Sequence, residues 1–172
     1  MNRMTNYNDG KASIADLRAH FSYDAETGLV TTKTCRRNLT IGQTIGTKDR
    51  QGYLVTSLYK EPIKVHRLAW ALSCGSWPQG MIDHINGDTS DNRLCNLRVV
   101  TNAQNKQNIG KSSANKSGYL GVSFHKKSGK WAANIKVMGA AKYLGIFDCP
   151  KAASEAYLAA KRELHPFSEV TA

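Results

Sequence analysis

Apolar and polar positions along the chain switch repeatedly between helical and strand periods, and the switches outline its elements. In KASIADLRAHF the residues Ile14, Leu17 and Phe21 recur at helical spacing, which predicts a short amphipathic helix. FSYDAETGLVTTKT reads as two strands around a D-A-E-T-G turn. GYLVTSLY alternates apolar and polar residues, as a half-buried strand does. PIKVHRLAW starts β-branched and passes into a helix around HRLAWALS, where Leu68, Ala69 and Leu72 share a face. GSWPQG ends that helix. MIDHI predicts a short strand, and NGD a tight turn, because Asn-Gly accepts positive φ. DNRLCNL predicts a single capped turn, and LRVV a second strand. Thr101 with Gln104 three residues on spells a capping box, so TNAQNKQN starts a helix.

NIGKSSANKSG, rich in Gly, Ser, Asn and Lys, reads as a linker. Beyond it, YLGVSFH, KWAANIKVM and KYLGIF predict three strands. CPKAASEAYLAAKREL predicts a helix with Pro150 near its start and Ala153, Ala156, Tyr157, Ala160 and Leu164 on one face. Residues 1–10 and HPFSEVTA read as polar tails. The expected architecture is α+β: an N-terminal region at 1–108, a linker at 109–117 and a small sheet-and-helix domain at 118–172.

Charge narrows the function. The 172 residues carry a net charge of +11 with 41% hydrophobic content, which points to a polyanionic partner, nucleic acid before an acidic membrane surface. No Asp or Glu occurs between Asp91 and Asp148, whereas Arg93, Arg98, Lys106, Lys111, Lys116, Lys126, Lys127, Lys130, Lys136 and Lys142 all fall there. Such an interval would neutralise several phosphates and release their counterions. No apolar run is long enough to cross a bilayer, and MNRMTNYNDG has no signal core, so an intracellular protein is expected. Cys35, Cys74, Cys95 and Cys149 form no C-x-x-C pair, which argues against a zinc ribbon and for reduced, partly buried thiols.

The chemistry concentrates in IDHINGDTSDNRLCNLRVVTNAQN. Asp83 and Asn105 offer two hard oxygen donors, few for a dedicated cage but typical of Mg²⁺, which keeps waters and recruits substrate phosphate. His84 could take a proton from a nucleophilic water. Asn96 could accept a hydrogen bond from the other imidazole nitrogen. A regular strand would send Asp83 and His84 to opposite sides, so this reading needs a bend. Arg67 and Arg93, near in sequence, could grip the scissile phosphate, with solvated or salt-bridged roles equally open. His66 is expected to cap or pack, and Trp70 and Trp77 to pack.

VHRLAW followed by IDHINGDTSDNRLCNLRVVTNAQN resembles the HNH endonucleases, the ββα-metal nucleases, with the core at about 65–108. LRAHFSYDAETG is similar to the upstream run of phage homing members that nick DNA. The resemblance implies His84 as general base, Asn96 as the residue that positions it, and Asp83 with Asn105 as ligands of one divalent ion, Mg²⁺ or Mn²⁺. Asn105 stands where many members have His. The implied activity is hydrolysis of double-stranded DNA by a monomer or weak dimer without a small-molecule cofactor or membrane, in the bacterial cytoplasm if phage-encoded.

The Y-x-G-V, G-K-W-x-A-x-I, Y-L-G-x-F and A-A-x-x-A-Y elements of the second module resemble the AP2/ERF DNA-binding domain. That likeness implies a sheet docked in the major groove, with Lys130, Trp131, Lys136, Lys142 and Tyr143 as contacts. Lys126 and Lys127, in the predicted hairpin turn, are further phosphate candidates. Leu120 and Ser123 replace family arginines, and Asn134 a common acidic residue, so base specificity does not carry over. Two rivals stay open: an AP2-like regulator that uses the first half as scaffold, and an RNA- or ribosome-binding basic protein.

Overall fold

The computed structural model describes residues 12–35, 39–108 and 115–168. The polar tail at 1–10, most of the linker and the last four residues lie outside them. The chain forms two compact units, Met1–Val100 and Thr101–Ala172.

The first unit is built around two helices and short antiparallel sheets. Helix α1 spans Ile14–His20, opened by a capping box in which the Ser13 and Asp16 side chains each take the other's backbone N–H. Strands β1 (Phe21–Tyr23) and β2 (Val30–Thr32) form a hairpin across the D-A-E-T-G turn. Strands β3 (Thr47–Lys48), β4 (Leu54–Leu58) and β5 (Glu61–Lys64) form a meander that leads directly into α2 (Val65–Cys74). The two-residue β3 is too short to express a period, so the sequence does not predict it. Gly75 ends α2 in the left-handed conformation.

The core of this unit joins Leu17, Phe21, Val30, Ile45, Leu58, Ile63, Val65, Leu68 and Ala69, with Trp70 and Trp77 packed against it as expected. Full burial of side chains such as Leu17, Leu58 and Leu68 stabilises by about 1.5–3 kcal/mol each. Trp77 also donates from Nε1 to the Ala12 carbonyl. A two-stranded ribbon, β6 (Met81–His84) and β7 (Leu97–Val100), completes the unit, with a 3₁₀ turn at Leu94–Asn96 between them.

The second unit opens with α3, Asn102–Asn105, capped as the sequence predicts: the Thr101 side chain accepts from Gln104 N and the Gln104 side chain from Thr101 N. Strands β8 (Val122–His125), β9 (Lys130–Val137) and β10 (Ala140–Phe147) form an antiparallel sheet in the order β10-β9-β8, and α4 (Pro150–Leu164) covers one face. Val122, Ala133 and Ile135 meet Ala153 and Tyr157 there. Gly121, at φ +71°, lets the chain pass against the Tyr157 ring, where a Cβ would stand 2.1 Å from two ring carbons. The G of Y-x-G-V and the Y of A-A-x-x-A-Y are thus one contact.

All four cysteines are free, as expected, but exposed rather than partly buried. Cys149 is the N-cap of α4, its sulfur accepting from Ala152 N.

Candidate active site

His84 ends β6, where the ladder pairs it with Leu97 and its neighbour Asp83 with Arg98. The register is regular through both residues, so no bulge turns Asp83 toward His84's side. The bend that the sequence reading requires is not in the ladder. Both side chains are nonetheless buried, Asp83 at 7% exposure and His84 at 3%. Such burial of a carboxylate requires a partner. Arg98 supplies it, donating from Nε at 2.9 Å and Nη2 at 2.7 Å to Asp83 Oδ2.

The imidazole lies in an aromatic nest. His66, from the first turn of α2, meets it edge-on with ring centroids 5.1 Å apart, and Tyr53 lies 5.9 Å from it and 5.2 Å from His66. The Lys64 ammonium sits 4.3 Å above the Tyr53 ring and pairs with Asp49. His66 therefore packs, as expected. Burial above all, then the neighbouring His84 and cations, pushes its imidazole down to about 3. Burial also lowers His84, opposed by its hydrogen bond to Asn92 and by Asp83. The shift favours the neutral ring, the form that accepts a proton.

The acceptor expected of Asn96 at the imidazole is supplied instead by another asparagine. His84 Nε2 lies 3.1 Å from Asn92 Oδ1. Asn96 organises the loop: Oδ1 accepts from Asn86 N at 2.9 Å, and Nδ2 donates to Asn86 Oδ1 at 3.0 Å and to the Asp91 carbonyl at 2.8 Å. The Ile85 N–H donates to the Asn96 carbonyl, tying the loop to the end of β6. Asn96 thus meets the residue after His84 through its backbone carbonyl. The sequence does not single out Asn92, because two asparagines four residues apart serve the spacing argument equally well.

Both candidate arginines have other partners. Arg67 donates from Nη1 to the Gly80 carbonyl at 2.9 Å and from Nη2 to the Pro78 carbonyl at 3.1 Å, bracing the loop after α2. Arg93 forms a two-pronged pair with Asp91, which holds that carboxyl at about 2. Arg93 remains half exposed.

Asn105 belongs to the second unit, at the end of α3. Among the described residues no three His, Cys, Asp or Glu side chains gather as a metal cluster. The Asp83 carboxylate is the kind of hard oxygen donor that a cation keeping most of its waters takes.

In the second unit, register sorts the candidates by face, because cross-strand partners share one. Lys130 pairs with His125 and Tyr143 with Asn134, while Lys136 lies opposite Ala141, all on the side away from α4. Lys130 also pairs with Asp148 at 2.7 Å. Trp131 pairs with Phe124 and Phe147 on the α4 side and packs against that core. Lys142 pairs with the buried Ile135, which puts it on the α4 side too, exposed at the sheet edge. Trp131 and Lys142 are therefore not on the open face expected to dock. Lys126 and Lys127 are exposed in the β8–β9 turn, as predicted.

The remaining histidines make local contacts. The His20 ring bonds the Asp16 carbonyl, His125 the Ser128 hydroxyl, and buried His165 the Lys136 carbonyl.

Residues 64–107 match a family model described as HNH endonuclease. Protein 3.8 of Escherichia phage T7 is 33% identical over 82 residues, 47% of this chain and 67% of that protein. A solved structure of DNA binding and cleavage by the HNH homing endonuclease I-HmuI aligns over 84% of this chain and 80% of that one, at 22% identity and a TM-score of 0.40. Among the described residues no helix is long and apolar enough to cross a membrane.

Proposed function

The chain belongs to the HNH endonuclease family, and on that premise we propose that it is a metal-dependent DNA endonuclease that nicks one strand per site. The observation that carries the reading is the buried imidazole of His84, directly after Asp83 within the matched segment. His84 takes the proton of a water in line with the scissile phosphorus. Asn96 holds the loop that fixes the end of β6, and so positions His84. Asp83 would hold one divalent ion, Mg²⁺ or Mn²⁺. When bound, that ion supplies Lewis-acid stabilisation of charge developing on the phosphate. Arg98 shares the Asp83 carboxylate and fixes its orientation.

The second unit is read as the DNA-holding module, an AP2-like domain that docks by its helix-free face through Lys130, Lys136 and Tyr143, with Lys126 and Lys127 reaching phosphates. One site per chain cuts one strand, so a double-strand break needs a dimer or successive nicks.

The test is plasmid nicking with Mg²⁺, with and without chelator, for the wild type and His84→Ala. The expected loss in the variant is on the order of 10²–10⁴-fold, with DNA binding retained. Full activity of His84→Ala on supercoiled plasmid refutes the assignment.

A further inference from the structure

The Y-D-A-E-T-G run takes no part in the chemistry above, yet its turn is built against the loop that carries Asn92. We propose that Asn92, held by the Tyr23–Gly28 turn, fixes the tautomer and ring orientation of His84, so that these are positioning residues for the base; this rests on the nuclease reading.

Asn92 is 2% exposed, so water does not replace its contacts. Its Nδ2 donates to the Ser90 carbonyl at 3.4 Å, which leaves Oδ1 facing His84 Nε2 at 3.1 Å. An amide oxygen only accepts, so Nε2 carries the proton and the lone pair lies on Nδ1. The Asn92 backbone is held in turn. The Tyr23 phenol donates to the Asn92 carbonyl at 2.8 Å, and Leu94 N donates to the Ala25 carbonyl at 3.3 Å. Asp24 shapes the turn by accepting from Glu26 N at 2.9 Å and Thr27 Oγ1 at 2.8 Å. Gly28, at φ +73°, permits the approach: a Cβ there would stand 2.5 Å from Arg93 N and 2.7 Å from the Asn92 carbonyl carbon. Tyr23 reaches, Asp24 and Thr27 close the turn, and Gly28 clears the way. The run thereby has a use at the imidazole itself.

The experiment uses the full chain and three variants. Asn92→Leu keeps the volume and removes the acceptor, Asn92→Asp keeps an acceptor oxygen, and Tyr23→Phe removes only the phenol. Imidazole ¹H–¹⁵N spectra of the wild type should show a slowly exchanging Nε2 proton on His84. Asn92→Leu should lose that protection and nick with kcat reduced on the order of 10–100-fold, at unchanged KM for DNA. Asn92→Asp should restore the protected proton. A protected Nε2 proton that survives Asn92→Leu overturns the proposal, as does a variant whose KM rises while kcat holds. If Asn92→Leu does not fold, faster exchange of that proton in Tyr23→Phe supports the proposal and unchanged exchange overturns it. The spectra report positioning and His84→Ala nicking reports the nuclease assignment, so the two fail separately.

Discussion

His66 makes stability depend on pH between about 3 and 6.5. Burial holds its folded imidazole at about 3, against an ordinary 6.5 in the unfolded chain. Between those values the unfolded chain binds a proton that the folded chain refuses, so falling pH favours unfolding. The stabilising effect of the neutral ring is complete above 6.5 and erodes as pH drops toward 3. Each unit of pH is worth about 1.4 kcal/mol, and pH 5 lies about 1.5 units below the unfolded value, a loss of about 2 kcal/mol. His84, lowered in the same direction, adds to it. The carboxylates held low, Asp16, Asp24, Asp49, Asp88 and Asp91, keep their contribution down to the unfolded value of 3.8 and lose it below that, as pH falls through their folded values. The assay is denaturant unfolding at pH 7.5 and 5.0 for the wild type and His66→Phe, which keeps a ring but no titrating nitrogen. The variant should show a pH-dependent loss smaller by about 2 kcal/mol. Equal losses in the two proteins would refute the reasoning.

Arg98→Met should destabilise the first unit by about 3–5 kcal/mol in urea titration, because it leaves the buried Asp83 carboxylate without its fork. Gly121→Ala should lower the melting temperature of the second unit, since the added methyl meets the Tyr157 ring and φ is positive. Replacing Lys126, Lys127 and Lys136 with Ala should flatten the salt dependence of DNA binding by about 0.9 in log–log slope for each phosphate that is no longer neutralised. An unchanged slope would mean that these lysines do not touch DNA.

Local signals carry most of the element order. The Thr101–Gln104 box, Pro150 at the start of α4 and the turns at Asn86–Gly87 and Ser128–Gly129 each act within a few residues, so the sequence displays them. Helix α3 is shorter than its capping box suggests, in a stretch where Asn102, Asn105 and Asn108 are weak helix formers. At the site, Asp83 and His84 are legible because they are adjacent. Arg98 is not, because its contact depends on the β6–β7 register. Tyr53 and His66 reach the imidazole only after the meander folds back. Lys142 and Tyr143 cannot both face one side, and which of them does so depends on a ladder whose register shifts between Tyr143 and Gly145.

The alternation in β9 keeps the core and the open face in separate residues. Ala133 and Ile135 point to α4 and are buried, while Lys130 and Lys136 point the other way and are exposed. Selection can therefore rewrite what the open face meets, one side chain at a time, without disturbing the core that holds the face in shape.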